Sequence, residues 1–267
     1  MARLRSILLL SITGFLFATA TLAQDVQPST PPANAPAIAA IPDPNATPGD
    51  LEARGDDLRL EKRYLDAIDF YNAALKKHPT ALLWNKEGIA YLQLQGHEKQ
   101  AGKCFDHAIK LDKLAAEGYN NRGYVEQAEK HWDKAIKYYT KAIKLKPEDA
   151  VFYYNMGSSY FGKHDYKTAA QEYKTAFALD PQIFIRVSRI GVMVQATSPE
   201  DRAAFSFMVA RMYAQAGDVE HSIEYLRKAM ENGYKQINQV YTDREFATLR
   251  TDKRFEELMA QRPPAIP

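Results

Sequence analysis

Four glycines, Gly55, Gly88, Gly123 and Gly157, stand 33, 35 and 34 residues apart, and each keeps the same company. A large apolar residue lies four positions before each: Leu51, Trp84, Tyr119 and Tyr153. Leu58, Tyr91 and Tyr160 lie three positions after the first, second and fourth, and Glu126 takes that place in the third. Further on come Ala67, Tyr71 and Ala74, then Ala101, Phe105 and Ala108, then Ala135, Tyr139 and Ala142, then Ala169, Tyr173 and Ala176. Steps of three and four place such residues on one face of a helix. Gly and Ala suit a close helix crossing where no larger side chain fits, and the aromatics fill the space around it. Pro79, Pro147 and Pro181 end the second helix of their units. One pair of helices cannot bury its own apolar face, so the units must stack on each other.

The pattern resembles the tetratricopeptide repeat, in which an aromatic, Gly and Tyr on a first helix are followed by Ala, an aromatic and Ala on a second, closed by Pro. The resemblance implies an all-α fold, a right-handed superhelical array of antiparallel helix pairs, with four units at 48–80, 81–115, 116–149 and 150–181. It departs from the pattern at three places: an extra residue in the turn between Leu94 and Lys99, Lys113 where Pro would stand, and Glu126 in place of Tyr. Residues 182–202 read as an irregular insert. There the alternation of Ile185 and Val187 with Arg186 and Ser188 suggests an extended segment, and a short helix at 182–187 is the competing reading. Ser198-Pro199-Glu200-Asp201 carries the signals of a helix start. Ala210, Tyr213, Gly217, Leu226, Ala229 and Gly233 resemble a degenerate fifth repeat over 203–236, with Ser222 in a small-residue slot and Gly233 ending the second helix. Residues 237–262 resemble a closing helical module, in which Phe246, Leu249, Phe255, Leu258 and Met259 cover the open apolar end of the stack, and 263–267 form a tail.

The other end has a different texture. Arg3 and Arg5, an apolar run from Ile7 to Ala20, and Thr21-Leu22-Ala23 read as a secretory signal peptide over 1–23, too short for a membrane span. A Pro/Ala-rich linker, 24–47, follows. Seven of the chain's 14 prolines fall within 24–48, a composition that favours extended, coreless chain. The expected location is periplasmic or secreted, with membrane contact only through the signal peptide or at the periphery. The chain carries 35 basic and 33 acidic residues, and the signal alone holds the two-residue excess. Net charge therefore offers nothing to nucleic acid.

No motif of catalysis or cofactor binding is present in the sequence. There is no Gly-rich phosphate loop, no His-Glu-x-x-His and no nucleophile elbow, since Gly157-Ser158-Ser159 occupies a helix-crossing slot. Cys104, the sole cysteine, and His107 share one helix face, but zinc needs three or four ligands. The expectation is a protein that is not an enzyme and takes no metal or cofactor.

Two surfaces remain. In proteins of the resembled family the first helices line a concave groove that holds partner peptides. The inward positions here would be Asn85, Ile89 and Leu92, then Glu117, Asn120, Tyr124 and Gln127, then Val151, Tyr154, Ser158 and Phe161. They form an apolar, amide-rich surface suited to a peptide with apolar side chains. The alternative is that several of them contact the next repeat or a covering C-terminal segment. Asn121 and Asn155 resemble the asparagines with which some family members grip a terminal carboxylate, but the basic partners of that set are missing. On the second helices Lys103, Lys110, Lys134, Lys137, Lys141 and Lys144 recur at matching places, within a stretch, 99–146, holding 11 basic and 6 acidic residues. They form either a solvated face or a convex stripe for lipid or cell-wall polymer.

Overall fold

The computed structural model describes residues 40–189 and 198–264, and no strand occurs among them. Helices α1 (Pro48–Leu60) and α2 (Tyr64–Lys77) pack as an antiparallel pair, as do α3 (Ala81–Leu92) with α4 (Glu98–Leu111), α5 (Ala116–Ala128) with α6 (Trp132–Leu145), and α7 (Ala150–Gly162) with α8 (Tyr166–Leu179). Each pair rests on the next through α2–α3, α4–α5 and α6–α7 contacts. A short α9 (Ile183–Arg189) follows, then the pair α10 (Pro199–Ala216) and α11 (Val219–Glu231). Three 3-10 turns (Ile237–Tyr241, Arg244–Phe246, Leu249–Thr251) and α12 (Lys253–Gln261) close the array.

The glycine–aromatic pairs set the crossing distance. A Cβ on Gly55, Gly88, Gly123 or Gly157 would come within 2.5–2.9 Å of a ring carbon of Tyr71, Phe105, Tyr139 or Tyr173 respectively. All four rings are fully buried. In the fifth unit Ala210 stands where glycine would and Leu226 where the ring would. The smaller leucine leaves room for the added methyl, and Ser222 Oγ donates to the Ala210 carbonyl at 2.9 Å.

The turns inside the pairs share one geometry. Lys62, Lys130, His164 and Gly217 adopt φ of 61°, 61°, 62° and 79° just after the first helix of their units. The next residue's N–H then reaches back into the last turn, as Arg63 N to Leu58 O at 2.8 Å and His131 N to Glu126 O at 2.8 Å. This is the Schellman closure that satisfies end carbonyls of a helix. The longer second turn uses Gly96, φ 80°, in its own way. Gly233, φ 81°, closes α11 through Tyr234 N to Ala229 O at 2.9 Å.

Three segments differ from, or sharpen, the sequence reading. The expected signal peptide lies outside the described residues, as does most of the linker. The linker's last residues, 40–47, are not a free spacer. Ala40 and Ala46 pack on the first core cluster, and Lys77 Nζ donates to Pro44 O at 2.7 Å and Ala46 O at 2.5 Å. After Pro181 the chain is helical rather than extended, because Ile183, Phe184 and Val187 share the face that α9 buries. Residues 190–197 lie outside the described part. Helix α10 starts at Pro199, where Ser198-Pro199-Glu200-Asp201 signalled a helix start, with Ser198 Oγ accepting from Asp201 N at 3.0 Å. At the far end Phe246, Leu249, Phe255, Leu258 and Met259 are all buried against the last pair.

Candidate binding groove

Three first helices and α9 frame a cavity of about 240 Å³. Helix α3 supplies Ile89, Leu92 and Gln93, α5 supplies Asn120, Asn121 and Tyr124, and α7 supplies Val151 and Asn155. Each set is spaced by three or four residues or falls at adjacent positions, so each helix turns one edge inward. The fourth wall, Arg186 and Val187, comes from α9, which packs against α7 and α8. The cavity is smaller than the roughly 300–1,000 Å³ of small-molecule sites.

A row of amides runs through this face. Asn155 Nδ2 donates to Asn120 Oδ1 at 2.9 Å, Asn120 Nδ2 to Asn121 Oδ1 at 3.1 Å, and Asn121 Nδ2 to Asn85 Oδ1 at 2.8 Å. The row crosses from α7 through α5 to α3. Each side chain keeps a second N–H and a second carbonyl lone pair for another partner. The Tyr124 hydroxyl is held protonated, its pKa raised by burial and, less, by the charge of Glu98. Arg186 is the lone charged residue among those lining the cavity, and its Nη2 lies 2.6 Å from Asp180 Oδ2.

Of the residues expected in the groove, Ile89, Leu92, Asn120, Tyr124 and Val151 line the cavity, and Asn85 anchors the end of the amide row. The remaining choices are placed elsewhere. Gln127 is buried between the third and fourth units, where its Oε1 accepts from Tyr139 and Ser159 hydroxyls, both at 3.0 Å. Tyr154 and Phe161, each 2 % exposed, pack against Phe184 of α9 and Phe205 of α10 at ring distances of 6.0 Å. Ser158 is buried too, bonded to the Tyr154 carbonyl. Helices α9 and α10 thus cover the last third of the expected groove. Glu117 is exposed and paired with Lys146 at 3.3 Å. The sequence reading did not connect Asn121 and Asn155 into a row, although the 35- and 36-residue steps between bonded partners match the repeat period.

The six lysines of the basic face are all exposed. Among the described residues, Lys134 reaches Glu126 at 3.8 Å, and Lys141 sits over the Tyr119 ring at 5.8 Å. No acid among the described residues lies within ion-pair distance of Lys103, Lys110, Lys137 or Lys144.

Residues with possible chemistry are otherwise engaged. Glu126, Glu129 and His131 gather at the α5–α6 turn. There Arg122 Nη1 lies 2.7 Å from Glu126 Oε1, and His131 Nδ1 lies 3.0 Å from its Oε2, so the buried carboxylate is already neutralised. His107 stacks on Trp84 at 4.4 Å, while Cys104 is buried, its thiol pushed up in pKa by that burial. No helix among the described residues is long and apolar enough to cross a membrane.

Residues 116–149 match one family model described as tetratricopeptide repeat, and residues 150–183 and 203–232 match a second with the same description. These segments are tetratricopeptide repeats (TPRs). Helices α10 and α11 fall within the matched part. The chain is similar to the small glutamine-rich tetratricopeptide repeat-containing protein 2 of Saccharomyces cerevisiae, 27% identical over 129 residues, which are 48% of this chain and 36% of that one. It is 30% identical over 101 residues to human serine/threonine-protein phosphatase 5, covering 38% of this chain and 20% of the phosphatase. The match therefore spans about a third or less of these relatives. A solved structure of MamA protein resembles it with a TM-score of 0.49 at 22% identity, over 74% of this chain and 95% of that one.

Proposed function

We propose that this TPR array is an exported, non-catalytic scaffold that holds a segment of a partner protein in the groove of α3, α5 and α7. One observation carries the reading: the amide row and the apolar cavity share a face, so hydrogen-bonding groups lie in register beside a slot for a side chain. Rows of fixed amides offer a peptide backbone partners that need no further ordering, which lowers the cost of association. The role of protein–protein interaction agrees with the TPR family as a whole. Export rests on the residues of 1–23, and the envelope or the exterior follows from it.

The test is a pull-down from envelope extract with the mature chain as bait. A protein retained by the native array and released when Leu92 and Tyr124 are changed to Ala, with helicity intact by circular dichroism, supports the reading. Retention unchanged by the pair overturns it.

A second reading has its own support, the four lysines on α4 and α6 that make no ion pair among the described residues. They would hold the scaffold against an anionic lipid or wall polymer. Binding to anionic vesicles should fall steeply with salt, as exposed charges are screened within about 8 Å at physiological ionic strength. Reversal of Lys137, Lys141 and Lys144 to Glu should abolish it, and salt-independent binding would dismiss this face.

A further inference from the structure

We infer that the groove selects an uncharged, internal stretch of extended chain with one aliphatic or aromatic side chain seated in the cavity, and rejects acidic segments and free C-termini. This deepens the proposed function and rests on the groove being the binding face. Charge is the first argument. Nine of the ten lining residues are neutral, and the tenth, Arg186, is already paired with Asp180. A carboxylate placed here would leave water with no cation to receive it, and burying an unpaired charge is strongly unfavourable. Amide groups impose no such penalty on a peptide backbone, whose N–H and C=O they match one for one.

Size is the second argument. The walls of Ile89, Leu92, Tyr124, Val151 and Val187 enclose about 240 Å³, room for a side chain and too little for a cofactor. Position is the third. Helix α9 stands beside the α7 end of the amide row and walls the cavity there, so the row and the slot beside it are bounded on that side. Specificity then arises from what the groove lacks as much as from what it offers.

The test uses an array of ten-residue peptides of degenerate sequence, each printed once with both ends capped and once with a free C-terminus, probed with the full mature chain. Enrichment of capped, uncharged peptides carrying a Leu, Ile, Val or Phe is expected, with loss of at least tenfold in affinity for the Leu92→Glu variant. A second, milder variant, Leu92→Ala, with helicity intact by circular dichroism, should lose affinity in the same direction. Groove-dependent enrichment of acidic or free-carboxylate peptides overturns the inference and leaves the groove reading standing. Absence of any enrichment sensitive to Leu92→Glu overturns both.

Discussion

At the scale of single residues, Glu87 is a buried carboxyl with an unmet hydrogen-bonding demand. It is 2 % exposed, and its Oε2 has no hydrogen-bond partner among the described residues. Burial pushes its carboxyl up to about 7, against smaller opposing pulls from Cys104 and Asn72. The folded value lies above the unfolded one, so the folded chain keeps a proton that the unfolded chain releases. Stability contributed by this group is complete well below pH 4.5, falls as pH rises to about 7, and stays low above that. The shift corresponds to about 3 kcal/mol. Glu87→Gln keeps the shape and removes the charge. Its melting temperature should exceed that of the native chain at pH 8 and equal it at pH 4. A variant that melts earlier at both values would show that Glu87 acts through a bond specific to the carboxylate. Gln127 shows the opposite case, a buried amide whose carbonyl oxygen accepts two hydrogen bonds. Its sequence position looks like any inward amide, and its role became visible only with the two hydroxyls that meet it. That pairing depends on a tyrosine 12 residues away and a serine 32 away, beyond what local spacing displays.

At the scale of the helix pair, two glycines one turn of reasoning apart behave in opposite ways. Helix propensity favours Ala over Gly by about 1 kcal/mol at an interior position. At Gly102 an added Cβ meets nothing nearer than Val125 at 3.5 Å, so Gly102→Ala should stabilise the chain by about that amount. At Gly123 it would meet the Tyr139 ring at 2.8 Å, and that ring cannot yield because its hydroxyl is tied to Gln127. Overpacking costs about 1–3 kcal/mol, and at this rigid ring it outweighs the propensity gain, leaving Gly123→Ala destabilised by up to roughly 2 kcal/mol. Chemical denaturation of both variants checks the pair, and equal signs would refute the crossing argument. The turns make a further prediction. Lys130 holds a left-handed conformation that costs an L side chain about 1–2 kcal/mol. Lys130→Gly should stabilise by about 0.5–1 kcal/mol after the added entropy of the unfolded chain is counted. The repeat itself was plain from sequence, because crossing, ring and small residue recur together. The left-handed turns were not, because Lys and His carry no local mark of positive φ, whereas Gly217 does.

At the scale of the whole array, the core is not continuous. The C-terminal cluster runs from α7 through α10 and α11 to α12, while the junction of the α3–α4 and α5–α6 pairs holds only Ala101, Phe105 and Val125 as buried apolar residues in its cluster. In such arrays each unit is stabilised by its neighbours, so local opening follows local core. Amide hydrogen exchange should be slowest over α7, α8 and α10–α12 and faster over α1–α4; uniform protection would mean that the units open together. The same unevenness explains what the sequence concealed about the groove. Inward positions of the fourth TPR look like those of the third, yet Tyr154 and Phe161 are claimed by α9 and α10, elements that follow a break in the repeat. Periodicity reports what each helix presents and is silent on which later segment folds back over it.

The amide row has a sense as well as a location. Every bond in it is donated the same way, from α7 toward α3. A structure with aligned dipoles distinguishes head from tail, much as a ratchet distinguishes forward from back. A ligand lying along it would be read in one N-to-C direction, so a sequence and its reversal, identical in composition and charge, would be different molecules to this protein.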